Sequence, residues 1–140
     1  MNIEDIKFKP LKKDITYVDI CNNLFKTGYF INNRGKISRC FDYIDEVKID
    51  KNNATNKKQL ERLLALNQLL NIAEYYNTLH PICTNHVTIE YDGVNNIYYP
   101  SNVSTKYKRG IKAIFNNQED TQAVINNSNF KEILDTIYKD

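Results

Sequence analysis

Histidine and cysteine recur at intervals of three residues in the segment His80-Pro-Ile-Cys83-Thr-Asn-His86. Two imidazoles and a thiolate could supply three ligands to a zinc ion, and a structural site would require a fourth, such as Cys40 or Cys21. The spacing matches no recurring zinc motif, and Pro81 before a predicted strand would turn the three side chains in different directions. We therefore interpret the segment as a loop and expect no metal and no cofactor. A metal-dependent enzyme is kept as an alternative.

Sequence signatures of catalysis are missing elsewhere in the chain. Nucleophilic catalysis by Cys83 would need a base oriented by a third group and an oxyanion site, and no glycine-rich or strained elbow accompanies this residue. The four glycines all fall at predicted turns, and none belongs to a phosphate-binding loop. The acidic residues Asp42, Asp45, Glu46 and Asp50 could hold Mg²⁺ if they converged, but neighbouring lysines favour a solvated stretch. These observations predict a protein that is not an enzyme.

Basic residues interleaved with tyrosine form a candidate nucleic-acid site. The cluster consists of Lys106, Tyr107, Lys108, Arg109 and Lys112. Such side chains can hold phosphates and stack on bases, but a solvated loop with lysines guarding an edge strand produces the same pattern. The net charge of +2 is too small to decide between these interpretations. Contact with nucleic acid is therefore an expectation that needs a test.

Asparagines and tyrosines supply the candidate protein-binding residues. Asn67 and Asn71 stand four residues apart on a predicted helix, so they could form a polar notch for a ligand or partner. The alternative is a boundary row that bonds neighbouring loops or water. Tyr98 and Tyr99 could contribute to an interface, because tyrosine is enriched where proteins recognise one another, or they could only rim the core. Three further tyrosines share these two interpretations: Tyr75, Tyr76 and Tyr107.

A long helix at residues 55–77 has to position several of these candidates. Thr55 or Asn56 can cap its first turn, and Gln59 follows Asn56 at the capping-box spacing. At about 100° per residue, one broad apolar face is expected to form the core side. This face contains Leu63, Leu66, Leu69, Leu70, Ala73 and Tyr76. Leu60 and Leu64 fall on the opposite side, which predicts a second, partial apolar contact.

Shorter elements surround the long helix in the predicted fold. A helix is expected within residues 14–25, a β-hairpin at 29–37 and an extended segment at 40–49. After the long helix we expect a loop, a second hairpin at 86–99, a strand at 111–115 and two short helices capped by Asn116 and Asn129. The predicted fold is α+β, with one long central helix packed with short antiparallel β-hairpins and two short C-terminal helices. We expect a single domain of residues 1–140.

The composition of the chain indicates the cellular compartment in which it acts. No apolar run approaches the roughly 18 residues that a membrane span requires, and the first residues contain no apolar signal region. We therefore expect a cytoplasmic protein without membrane contact. Three cysteines in unrelated contexts are typical of a reducing compartment with buried thiols rather than disulfides. The tyrosines and the second apolar side of the long helix permit a homodimer.

Three phrases of the sequence together carry a resemblance. They are DITYVDICNNLF at 14–25, YFINNRGKI at 29–37 and TNKKQLERLLALNQLLNIAEYYN at 55–77. In these phrases, and in a closing strand at 111–115 and helix at 118–126, the chain resembles a group of small uncharacterised proteins of bacteriophages, prophages and plasmids. The resemblance offers no catalytic residues to carry over to this sequence, and it implies an accessory protein that acts by binding.

The resemblance suggests a stoichiometric inhibitor of a bacterial defence system, such as a CRISPR effector nuclease. The expected partner is a host defence protein or a nucleoprotein complex inside the host bacterial cell. This expectation follows from the type of genome alone. A nucleic-acid-associated accessory protein remains the alternative from a different functional class.

Overall fold

A computed structural model of the chain describes residues 16, 17, 20, 28–40, 53–104 and 112–140. The chain divides into two compact units, residues 1–61 and 62–140, with the division inside the long helix. The sequence predicts one domain, and that statement stays a prediction. The predicted α+β class is confirmed by a helix of 23 residues, two antiparallel sheets and two short C-terminal helices.

The first unit contains a three-stranded antiparallel sheet. Its strands are β1 (Gly28–Ile31), β2 (Ile37–Cys40) and β3 (Asn53–Ala54), in the order β2-β1-β3. The hairpin predicted at 29–37 is confirmed, whereas β3 falls between the elements predicted at 40–49 and 55–77. Of the helix predicted within 14–25, the described residues show one helical bond, from the Ile20 N–H to the Thr16 carbonyl oxygen at 3.2 Å. The extended segment predicted at 40–49 lies outside the described residues except for Cys40.

The long helix α1 runs from Lys57 to Leu79. The predicted cap is confirmed, because the Asn56 side-chain oxygen accepts the Gln59 N–H at 2.9 Å. The helix continues two residues beyond the predicted end. It ends before Pro81, because proline disfavours helical backbone at the residue that precedes it.

Burial along α1 differs from the predicted core face at one position. A row of residues four apart, Ala65, Leu69 and Ala73, is buried, and Leu69 is 1% exposed. Leu66, Leu70 and Tyr76 are half-buried. The prediction for Leu63 is wrong: this side chain is 46% exposed, because it lies about 120° around the helix from Leu69.

The predicted second apolar side of α1 is supported near the helix start. Leu60 lies opposite the buried row, yet its side chain is 1% exposed. Leu64, one turn further on, is half-buried. Burial therefore changes sides along the helix, which explains why α1 is apolar around most of its circumference.

The second unit continues from α1 into a hairpin and two helices. The strands β4 (Val87–Asp92) and β5 (Ile97–Asn102) are antiparallel. The helices are α2 (Gln118–Asn126) and α3 (Lys131–Tyr138), separated by a 3₁₀ turn at Ser128–Phe130. The strand predicted at 111–115 is represented by a single bridge between Phe115 and Val87. The core of this unit contains Leu69, Ala73, Ile89, Ala113, Phe115, Val124 and Leu134.

Two predicted helix caps are wrong by one or two positions. Asn117, rather than Asn116, caps α2, since its side-chain oxygen accepts the Asp120 N–H at 2.7 Å. Asn129, the other predicted cap, lies inside the 3₁₀ turn, which Asn127 caps by accepting the Asn129 N–H at 3.0 Å. The helix α3 itself begins after Phe130 without a side-chain cap. Asn116 makes tertiary hydrogen bonds instead, described below.

Pro100 blunts the outer edge of β5. Val87 donates its N–H to the Phe115 carbonyl oxygen at 3.0 Å, away from β5, and receives the Phe115 N–H at 2.7 Å. Alternate residues of an antiparallel strand direct their backbone N–H and C=O groups to the same side. The backbone groups of Ile89 therefore also face away from β5, and its carbonyl oxygen accepts the Tyr138 hydroxyl at 2.8 Å. Pro100 pairs with Ile89, so its nitrogen faces the outer edge of β5. That edge therefore lacks a donor at its centre.

Among the described residues, no helix combines the length and apolar character needed to cross a lipid bilayer.

Candidate functional site: the exposed ridge of α1 and the loop that follows

An unbroken exposed row runs along α1 at every fourth residue. We call it the α1 ridge, and it consists of Leu63, Asn67, Asn71, Tyr75 and Leu79. Tyr75 is 61% exposed and Leu79 is 53% exposed. In the loop after the helix, Ile82 is 81% exposed. The ridge contains both predicted asparagines, and it places three large apolar side chains in the same row.

The Tyr75 ring is supported from the core side. It meets the Tyr76 ring edge-on, with centroids 5.5 Å apart and planes at 84°. Tyr76 in turn lies against Phe115, at a centroid distance of 6.4 Å. Phe115 is fully buried, so a chain of three aromatic rings connects the exposed ridge to the core of the second unit.

A polar clamp fastens the end of α1 to the segment before α2. We use this name for Asn77, His80, Asn116, Asn117 and Asp120. The Asn77 amide donates to the Ile114 carbonyl oxygen at 2.8 Å and accepts the Asn116 N–H at 2.9 Å. The Asn116 amide donates to the His80 carbonyl oxygen at 3.0 Å. The last turn of α1 is therefore held by side chains that satisfy backbone groups.

The second half of the clamp is an imidazole–carboxylate pair. His80 Nδ1 lies 2.8 Å from Asp120 Oδ2, and the same oxygen accepts the Asn117 amide N–H at 3.0 Å. The Asp120 side chain is only 9% exposed, whereas the imidazole is 57% exposed. Asp120 also lies in the first turn of α2, where the helix dipole favours a carboxylate. The pair fixes the imidazole and the beginning of the loop to α2.

The other end of the loop is fastened as well. The backbone N–H groups of Thr84 and Asn85 both donate to the Asn116 carbonyl oxygen, at 3.0 and 3.2 Å. Residues 80–86 are thus anchored on both sides of Ile82. A surface that is held in place before it meets a partner loses less conformational entropy on binding.

The three candidate metal ligands of the loop, His80, Cys83 and His86, are not brought together. Cys83 Sγ lies 3.5 Å from His86 Nδ1, but His80 turns its Nδ1 to Asp120. In residues 16–17, 20, 28–40, 53–104 and 112–140, no three His, Cys, Asp or Glu side chains are placed to hold a metal ion. The prediction of buried thiols is wrong for Cys83, whose thiol is exposed and also donates to the Asn85 carbonyl oxygen at 3.4 Å.

The predicted tyrosines Tyr98 and Tyr99 point to opposite faces of β5. The Tyr98 hydroxyl donates to Asp135 at 2.6 Å, and its ring lies 4.9 Å from the Tyr91 ring. Burial and the bond to Asp135 raise the pKa of Tyr98, while the same bond lowers the pKa of Asp135. Burial also raises the pKa of Tyr138 to about 12. Tyr99 is 43% exposed on the other face.

The basic candidate cluster lies mostly beyond the described part of the chain. Lys106, Tyr107, Lys108 and Arg109 are outside the described residues, and Lys112 is exposed. Leu79 of the ridge and Ile82 of the following loop are absent from the sequence-based candidates. The four-residue spacing of Leu79 after Tyr75 is the signal that could have identified Leu79. The comparisons of this chain with family models, curated proteins and solved structures found no match.

Proposed function

We propose that this chain acts by binding rather than by catalysis, and that it uses the α1 ridge and Ile82 to occupy the surface of another protein. The observation that carries the proposal is the exposure of Tyr75, Leu79 and Ile82 beside a clamped loop. Exposed apolar groups rimmed by polar ones mark interaction surfaces. Tyrosine is also among the residues that contribute most to binding energy in protein interfaces.

The proposed partner is a protein of a bacterial defence system, such as a CRISPR effector nuclease, which the chain inhibits by stoichiometric occupation. The choice of partner rests on the resemblance to small bacteriophage, prophage and plasmid proteins. The place of action is then the cytoplasm of the bacterial host. The asparagines Asn67 and Asn71 would supply hydrogen bonds between the apolar members of the ridge.

The test compares three forms of the tagged protein in host cells that carry an active defence system. They are the natural sequence, the ridge variant Tyr75→Ser/Leu79→Ser and the control Val94→Ser. Val94 is 94% exposed in the turn between β4 and β5, so the control also removes exposed apolar surface. Plating efficiency of a sensitive phage and the recovery of defence proteins are both measured.

The natural sequence and Val94→Ser should restore plating and recover a defence component in equal molar amounts. The ridge variant should recover about thirtyfold less of the defence component. This factor corresponds to the loss of about 2 kcal/mol of binding free energy at one dominant interface residue. Equal protection by all three forms would remove the ridge from the mechanism. No protection by the natural sequence and no recovered defence component would reject the proposed partner.

A further inference from the structure

Positive charge is concentrated in the first unit. Residues 1–61 contain twelve Lys and Arg against nine Asp and Glu, whereas residues 62–140 contain seven against eight. Within the β1–β2 hairpin, residues 28–40 carry three basic side chains and no acidic one. All three, Arg34, Lys36 and Arg39, are exposed. Among the described residues, no carboxylate forms an ion pair with Arg34 or Lys36.

We call the β1–β2 hairpin the ribbon, and its last residue pair and turn lie beyond the part of β1 that pairs with β3. β3 pairs only with Tyr29 and Phe30, near the root of β1. Beyond Phe30, the β1–β2 pair continues through Ile31 and Ile37 into the turn at residues 32–36 without a third strand among the described residues. An antiparallel ribbon of two strands has the width that the major groove of B-form DNA admits.

The tip of the ribbon is held in one conformation. The Asn32 side-chain oxygen accepts the backbone N–H groups of Arg34 and Lys36, at 2.9 and 3.0 Å. The Asn32 N–H donates to the Lys36 carbonyl oxygen at 2.8 Å. Gly35 completes the turn with a φ of 73°, which a residue without Cβ adopts without strain. Both cations are therefore attached to a fixed backbone while their side chains remain exposed.

We propose that the β1–β2 ribbon is a duplex-DNA contact, with its tip in the major groove and Arg34 and Lys36 on phosphate oxygens. Exposed positive charge at a hydrogen-bonded hairpin turn is complementary to the phosphate backbone. Duplex RNA fits less well, because its major groove is deep and narrow. A lipid surface fits less well because residues 32–36, Asn-Asn-Arg-Gly-Lys, offer no apolar side chain for insertion. This inference does not depend on the proposed defence partner.

Fluorescence anisotropy with a labelled DNA duplex tests the inference on the full chain. Arg34→Gln/Lys36→Gln removes two charges from the tip, and Lys57→Gln/Lys58→Gln removes two from exposed positions at the start of α1 in the same unit. Arg34→Lys/Lys36→Arg keeps the charge. The turn should survive all substitutions, since Asn32 bonds backbone groups rather than the exchanged side chains. Circular dichroism checks this.

Removal of two phosphate contacts should weaken binding at least about tenfold at 50 mM salt. The affinity of the natural sequence should also fall about 12-fold more than that of the variant when salt rises from 50 to 200 mM. The charge-keeping variant and the Lys57/Lys58 control should stay close to the natural affinity. The inference is overturned by undetectable binding of the natural sequence, by an equal loss in the control, or by equal binding to duplex RNA. Binding to anionic vesicles without binding to the duplex would also overturn it.

Discussion

Replacing Asn77 by alanine removes the centre of the polar clamp. Its side chain makes one hydrogen bond to the Ile114 carbonyl oxygen at 2.8 Å and one from the Asn116 N–H at 2.9 Å. Both partners are backbone groups, and both bonds are partly buried. Each bond contributes about 1 kcal/mol, and leaving its partner unsatisfied adds to the loss. The higher helix propensity of alanine offsets about 0.6 kcal/mol of this loss in stability. We expect Asn77→Ala to lower the free energy of unfolding by about 2 kcal/mol.

Asn71→Ala is the matched control for this change. Asn71 belongs to the same helix but is exposed on the α1 ridge. Its replacement should raise the free energy of unfolding by about 0.6 kcal/mol, because only helix propensity is altered. Urea unfolding followed by circular dichroism at 222 nm measures both variants. If Asn77→Ala is as stable as Asn71→Ala or more stable, the reasoning about the clamp is refuted.

Three further outcomes are expected. Tyr98→Phe should cost about 1.5 kcal/mol at pH 7 by removing the bond to Asp135. The folded pKa of Asp135 is lowered, so this contribution should be present above the unfolded pKa near 3.8 and vanish as pH falls through the folded value; a loss independent of pH would contradict it. Pro100→Thr should raise self-association in sedimentation velocity, because it restores a donor at the outer edge of β5; unchanged sedimentation would count against the edge assignment. Elemental analysis of protein purified without chelator should find no stoichiometric zinc, since His80 is bonded to Asp120; one zinc per chain would reject this interpretation of the loop.

Local sequence patterns were enough to predict the long helix α1, the two C-terminal helices and the two hairpins. The Asn56 cap and the hairpin around residues 32–35 depend on neighbouring residues, and both are found where the sequence places them. The α1 face was predicted less well. Its periodicity identifies Leu69 and Ala73 as buried but does not define how far around the helix the buried face extends. Leu63 lies outside that face. The extent of that face is set by the elements packed against the helix.

Tertiary hydrogen bonds explain the remaining differences. Asn116 has the spacing of a helix cap, but it bonds Asn77 and His80, so Asn117 caps α2. These contacts join residues nearly forty positions apart, and no local pattern reports them. The strand β3 is likewise only two residues long and is defined by its pairing with β1. The predicted asparagines of the α1 ridge are exposed, whereas the apolar side chains beyond them become visible as a surface only once the helix is built.

Site-specific photo-crosslinking tests the central claim about the α1 ridge most directly. A photoreactive phenylalanine derivative would replace Tyr75 in one form of the protein and Val94 in the other, and both forms would be irradiated in host cells with an active defence system. We expect one dominant adduct with a defence protein from position 75 and none from position 94. No adduct at position 75, or the same adduct from both positions, would contradict it.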